Sequence, residues 1–111
     1  MSLFHDSVRA FAAGVAVCWV VCAATALPAE TRASIDNFTF KPDIITVPVG
    51  TTVVWENDDD IVHTVVSRDG AFRSPALDTE DKFSFTFDKT GTFEYFCSLH
   101  PYMKAKIVVA P

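Results

Sequence analysis

The chain has 111 residues, and its 9 basic and 14 acidic side chains give a net charge of −5 at pH 7. This length fits a single domain. Nucleic-acid phosphates repel an acidic protein, whereas basic partners attract it, so the charge argues against nucleic-acid binding.

The first segment of the chain has the pattern of a helical signal peptide. Arg9 precedes an uncharged apolar run at residues 11–21 (FAAGVAVCWVV), and small residues in the A-x-A pattern of a cleavage site follow. Cleavage after Ala26 or after Ala29 fits this pattern, and we favour Ala29. The sequence therefore predicts a cleavable signal peptide over residues 1–29 and one exported domain over residues 30–111.

An uncleaved membrane anchor is the alternative for this segment, because the apolar stretch from Phe11 to Leu27, about 17 residues, reaches the lower limit for a spanning helix. Cleavage would remove Cys18 and Cys22 and leave Cys97 as the one cysteine. A lone thiol in an oxidising compartment is a liability unless something occupies it, and a metal ion would do so. Residues 30–111 keep 8 basic and 13 acidic residues, so their net charge is also −5.

From residue 30 onward the pattern changes to short β-strands separated by turn signals. The strand candidates are rich in β-branched and aromatic residues, and proline, glycine or aspartate interrupts the pattern between them. Residues 57–60 (NDDD) read as a solvated polar loop, and residues 72–81 show no clear period. Seven such strands predict an all-β, two-sheet antiparallel sandwich. The predicted strands are Ser34–Phe40, Ile44–Val47, Thr51–Glu56, Ile61–Ser67, Lys82–Phe87, Thr92–Cys97 and Lys104–Ala110.

Alternation along two of these strands predicts which side chains face the core. Phe93, Tyr95 and Cys97 are two residues apart, so they share one face of their strand. If the two aromatic rings point into the core, the thiol also points inwards, at the end of the strand. The alternating phenylalanines of Lys82–Phe87 predict a core face in the same way.

Soft and borderline metal-binding side chains are concentrated near the C-terminal end of the domain. Residues 97–103 (CSLHPYM) carry Cys97, His100 and Met103 as C-x2-H-x2-M, and His63 lies in an upstream predicted strand. Taken singly, each of these residues is more often structural. Together they are all the cysteine, histidine and methionine residues of the domain, and they match the two histidines, one cysteine and weak axial methionine of a blue-copper electron-transfer site. We therefore predict that these four residues bind one copper ion.

With this ligand pattern the domain resembles the cupredoxins, and most closely the amicyanin type, which has the short C-x2-H-x2-M loop. The resemblance spans about residues 34–110 and includes F-x-F-x-P at residues 38–42, W-x-N at residues 55–57 and Y-F-C at residues 95–97. It implies an all-β, two-sheet antiparallel Greek-key sandwich of the cupredoxin kind. It also implies His63, Cys97 and His100 as equatorial ligands of a type 1 copper ion, with Met103 as the axial ligand.

Three residues depart from the pattern of that family. Thr64 follows the first ligand histidine where asparagine is frequent, and Val62 precedes it where proline is frequent. Tyr102 occupies a position where an aromatic residue is common, but its phenol is more polar than phenylalanine. These changes leave the ligand set intact and affect the hydrogen bonds around it, on which the reduction potential depends.

The resemblance implies a periplasmic blue-copper protein that shuttles single electrons. We expect no enzymatic activity, since four protein ligands leave no open metal position for a substrate. Amicyanins accept electrons from a quinone-cofactor amine dehydrogenase and pass them to a c-type cytochrome, so we expect redox proteins as partners. We expect the mature form to be a monomer that binds neither nucleic acid nor membrane. Two alternatives are a periplasmic copper-binding protein for copper delivery or resistance, and an accessory subunit bound permanently to an oxidoreductase.

Overall fold

The computed structural model describes residues 29–111, so the predicted signal peptide lies outside the described residues except for Ala29. Within residues 29–111 no helix is both long and apolar enough to cross a bilayer. The regular elements of this part are eight strands. They are β1 (Glu30–Asp36), β2 (Thr39–Lys41), β3 (Ile44–Pro48), β4 (Thr51–Asn57), β5 (Val66–Ser67), β6 (Lys82–Phe87), β7 (Gly91–Cys97) and β8 (His100–Ala110).

The strands form two four-stranded sheets, which confirms the predicted all-β, two-sheet sandwich. The order is β2-β1-β4-β6 in one sheet and β3-β8-β7-β5 in the other. Four strand pairs are antiparallel, but β1–β4 and β3–β8 are parallel, so the prediction of purely antiparallel pairing needs this correction. Parallel neighbours need a long crossover connection. The chain between β1 and β4 provides one, since it passes through β3 in the opposite sheet.

The hydrophobic core fills the space between the sheets and reaches the metal-binding segment. Side chains from both sheets form one buried cluster, which includes Cys97 and Met103. The predicted alternation along β7 is confirmed, since Tyr95 and Cys97 are fully buried and Phe93 packs against the cluster. The largest fully buried side chains are Trp55, Tyr95, Phe40, Phe87, Ile35 and Ile107.

The predicted strand Ser34–Phe40 is interrupted in the structure. Asn37 and Phe38 form a turn between β1 and β2, and both have positive φ angles of 55°. The two short strands still pair, with Asp36 opposite Thr39. The chain therefore reverses at a point where the sequence pattern predicted a continuous strand.

The predicted strand Ile61–Ser67 is also shorter than expected. Only Val66–Ser67 belongs to a sheet, as β5. His63 forms an isolated bridge with Leu77, in which each backbone N–H donates to the other residue's carbonyl at 3.1 and 2.8 Å. The segment thus lies at one end of the sandwich, beside the start of β8.

Candidate metal centre

A tight β-hairpin brings two of the predicted ligands together. Cys97 ends β7, His100 begins β8, and the two residues are partners in the strand ladder. Ser98 and Leu99 form the two-residue turn between them. Two-residue loops place the flanking residues directly opposite each other, so the C-x2-H spacing itself juxtaposes the thiol and the imidazole.

Three ligand atoms meet at the end of the core. The Sγ atom of Cys97 lies 3.7 Å from Nδ1 of His63 and 3.6 Å from Nδ1 of His100. All three ligand atoms lie within 4.8 Å of one another. Metal–nitrogen and metal–sulfur bonds are about 2.0 and 2.3 Å long. If the two bonds meet at the roughly 120° angle of a trigonal site, the nitrogen and the sulfur are about 3.7 Å apart. The measured separations therefore fit a single first-row transition-metal ion.

The four predicted ligand residues differ in their access to solvent. His63 and Cys97 are fully buried, and Met103 on β8 is buried in the same core cluster as Cys97. His100 is half-buried. These residues would shield a bound metal ion from water. Among the four, only His100 has a side chain that solvent partly reaches.

Thr64 forms hydrogen bonds around the sulfur of Cys97. Its backbone N–H donates to Sγ at 3.4 Å, and its hydroxyl lies 3.7 Å from the same atom. The backbone N–H of Ser98 donates to the Thr64 hydroxyl oxygen at 2.8 Å, and the two hydroxyl oxygens are also 2.8 Å apart. Thr64, one of the three departures from the family pattern, therefore links the two ligand-bearing segments and contacts the ligand sulfur.

Asp59 orients the ring of His63. The Nε2–H of His63 donates to Oδ2 of Asp59 at 2.8 Å, so in the neutral ring Nδ1, which faces Cys97, is the nitrogen available to a metal. The hydrogen bond from the backbone N–H of Phe38, at 2.9 Å, and then the one from His63 hold the pKa of the Asp59 carboxyl below its usual value of 3.8. A buried carboxylate thus assigns the tautomer that a metal ligand requires.

Residues 57–60 were expected to form a solvated loop, and this is wrong for Asn57 and Asp59, which are buried. Asp58 and Asp60 are exposed, but Asp59 is buried. Asn57 causes the inward turn, since its side chain accepts from the Asp59 N–H at 3.0 Å and donates to the Leu77 carbonyl at 2.8 Å. The sequence did contain a signal for the role of Asp59. This carboxylate lies four residues before the candidate ligand His63, and metal-binding histidines commonly donate their other N–H to a carboxylate.

The donor set indicates which metal the site accepts. A thiolate and a thioether favour Cu(I), imidazoles also suit Cu(II), and two histidines with a cysteine in a trigonal arrangement are typical of type 1 copper. The fold and the site thus define a type 1 copper protein, as the ligand pattern predicted. When bound, the copper ion supplies one-electron redox chemistry.

Comparison with known proteins agrees with the fold and the site. The sequence model of the cupredoxin-like domain family matches residues 10–109, so the chain belongs to the cupredoxin-like family. It is 30% identical to amicyanin from Paracoccus versutus over 93 residues, which cover 78% of this chain and 70% of that protein. The predicted resemblance to amicyanins is therefore confirmed, and the chain is an electron-transfer protein of this family.

Solved structures show the same likeness. A purple cupredoxin from Nitrosopumilus maritimus is 32% identical with a TM-score of 0.68, and the match covers 72% of this chain and 99% of that one. A reduced amicyanin variant is 30% identical with a TM-score of 0.69, over 73% of this chain and 82% of that one.

Proposed function

We propose that the chain is a periplasmic carrier of single electrons in which His63, Cys97, His100 and Met103 would hold one copper ion that supplies the one-electron redox chemistry. The placement of the Cys97 sulfur supports this assignment. It lies within 3.7 Å of Nδ1 of both histidines and accepts the N–H of Thr64, as a thiolate ligand should. Met103 follows His100 on β8 and shares the buried cluster of Cys97.

A carrier fits this site better than an enzyme. Four protein ligands leave no open metal position for a substrate. Burial of His63, Cys97 and Met103 keeps water away from the metal. Strands β7 and β8 restrict the movement of Cys97 and Met103, and the backbone bridge to Leu77 restricts that of His63. The same burial argues against copper delivery, because three ligands would have to leave the core to release the ion.

Electrons would enter and leave through the exposed side of His100. The apolar side chains Phe38, Leu99 and Tyr102 are exposed around it, and the rings of Phe38 and Tyr102 lie 5.0 and 6.2 Å from the His100 ring. Weak electron-transfer complexes use small interfaces, which suits this patch. We propose that a donor oxidoreductase and a c-type cytochrome dock here as separate partners of a monomer.

Amicyanin relatives suggest a quinone-cofactor amine dehydrogenase as the donor. The net charge of −5 would attract a basic cytochrome and set the rate of encounter. Export through a signal peptide at residues 1–29 would place the carrier in the periplasm, where Cys97 would be the one remaining cysteine. Copper would then protect that thiol from oxidation.

The visible spectrum of the purified mature protein tests the ligand assignment. Charge transfer from the Cys97 thiolate to Cu(II) should give an intense visible band that is absent from Cys97→Ala. The matched control is Ser98→Ala, which changes the neighbouring residue but retains the sulfur and should keep the band. A colourless Cu(II) complex of the wild type, or an unchanged band in Cys97→Ala, would contradict the assignment.

Kinetics then separate the carrier from a copper-delivery protein. A carrier should show a reversible one-electron wave in voltammetry and should reduce a c-type cytochrome in stopped-flow mixing. It should retain its copper when mixed with a metal-free copper-binding acceptor. Rapid loss of copper to that acceptor, without reduction of the cytochrome, would support delivery instead.

A further inference from the structure

The turn between β1 and β2 adopts a backbone conformation that its second residue disfavours. Asn37 and Phe38 both have φ angles of 55°. Turns with two positive φ angles strongly favour Asn-Gly, because asparagine and glycine tolerate the left-handed region. A bulky residue there is a genuine outlier, and such outliers are concentrated at functional sites. The strained residue of this turn is thus Phe38.

The ring of Phe38 contacts both histidines of the site. Its centroid lies 5.4 Å from that of His63 and 5.0 Å from that of His100, and the planes are nearly perpendicular at 89° and 87°. The two imidazoles lie 5.0 Å apart with an angle of 62° between them. The three rings therefore form a closed triangle of edge-on contacts, with the phenyl ring packed against both imidazoles.

The backbone of Phe38 reaches the same site by a second route. Its N–H donates to Oδ2 of Asp59 at 2.9 Å, and this oxygen also accepts the Nε2–H of His63 at 2.8 Å. The left-handed turn is what directs this N–H at the carboxylate while the side chain lies over the imidazoles. An extended backbone at Phe38 would lose one of these two contacts.

We propose that Phe38 is a positioning residue whose strained turn holds the imidazoles of His63 and His100 in their metal-binding orientation before the metal arrives. This deepens the proposed function, and it rests on the assignment of both histidines as ligands. Rings that are already oriented need little rearrangement when copper binds or changes its oxidation state. A role as a simple apolar cover would need neither the flat ring nor the strained backbone.

The variant Phe38→Gly removes the ring and relieves the backbone, and Asn37→Gly is the matched control because it relieves the adjacent φ without touching either histidine. The first measurement uses the metal-free protein, in which the Nε2–H of His63 should exchange slowly with water and give an imidazole N–H signal in the NMR spectrum. We expect that signal in the wild type and in Asn37→Gly, and its loss in Phe38→Gly.

The second measurement is Cu(II) affinity, by competition with a chelator. Phe38→Gly should bind about tenfold to a hundredfold more weakly, as is typical when a residue that orients metal ligands is lost. Asn37→Gly should keep the wild-type affinity. Phe38→Leu, which retains apolar bulk and the backbone N–H, should lose affinity if the flat ring matters and match the wild type if Phe38 is only a cover.

The outcomes distinguish this proposal from the proposed function. Wild-type affinity and an intact imidazole signal in Phe38→Gly, or in Phe38→Leu should the glycine variant not fold, would overturn the positioning role even if the protein is blue. A wild type without a blue copper complex would overturn the carrier function. Selective loss of the imidazole signal in Phe38→Gly would still support the positioning of His63.

Discussion

Tyr95 should make the fold sensitive to alkaline pH. Its side chain is fully buried on β7, and its hydroxyl has no hydrogen-bond partner within the described part of the chain. Removal from water raises the pKa of Tyr95 from 10.0 to about 12, because the core disfavours the phenolate. The unfolded chain therefore loses this proton near pH 10, whereas the folded protein keeps it until about pH 12.

The size of the effect follows from the difference between the two pKa values. Stability from Tyr95 is fully present below pH 10 and is lost as the pH rises towards 12, since the folded state binds the proton more tightly. Each pKa unit corresponds to about 1.4 kcal/mol, so a difference of about two units lowers the free energy of unfolding by roughly 3 kcal/mol once the pH has passed the pKa of the folded state. For a small domain this is a large fraction of the total stability.

Urea unfolding of the metal-free protein between pH 8 and 12 measures this loss, with Tyr95→Phe as the comparison. The variant lacks the phenol and keeps the ring, so it should be at least as stable as the wild type at pH 8. Subtracting the variant's free energy of unfolding from that of the wild type at each pH removes the contribution of lysines and other groups that titrate at alkaline pH. Parallel curves for the two proteins from pH 10 to 12 would refute the reasoning.

Three further predictions concern the copper site. Met103→Leu should raise the reduction potential and Met103→Gln should lower it, because an oxygen donor favours Cu(II); equal potentials in voltammetry would argue against Met103 as a ligand. Thr64→Val removes the hydroxyl near the Cys97 sulfur and should lower the potential by roughly 20–60 mV, since hydrogen bonds stabilise the more negative sulfur of the reduced state. No change would show that the hydroxyl does not donate to sulfur. Tyr102→Lys should slow reduction of the cytochrome without altering the visible band. Ile44→Lys, at an exposed apolar position that pairs with Lys106 in the middle of β8, should leave the rate of cytochrome reduction unchanged. Equal stopped-flow rates for both variants would place docking elsewhere.

Local sequence was enough to predict the set of ligand residues, but the last strand was predicted to begin at Lys104 and begins at His100, so the hairpin itself was missed. Cys97 and His100 flank a two-residue turn, so their proximity depends on the hairpin alone and not on the rest of the fold. Alternation along β7 likewise predicted that Tyr95 and Cys97 point into the core, because side chains two apart on a strand must share a face. These features depend on short-range geometry, which the order of residues determines directly.

The bounds of the strands near the site were harder to predict. The β-rich composition of residues 61–67 predicted a strand, but tertiary contacts pair His63 with Leu77 outside the sheets. The parallel pairing of β1 with β4 was missed for a similar reason. The composition of a segment indicates whether it prefers an extended backbone. Which strand it then pairs with depends on how the whole chain crosses between the two sheets.

The sequence by itself determined that this protein is a β-sandwich with a soft metal-binding loop, because strand alternation and the C-x2-H-x2-M spacing are local patterns. Only the tertiary structure decided what surrounds the ligands. Asp59 looked like part of a solvated acidic loop, and Phe38 looked like one more strand aromatic. Both residues act where the β1–β2 turn contacts the loop after β4. These segments are distant in sequence, so their contact depends on how the two sheets pack.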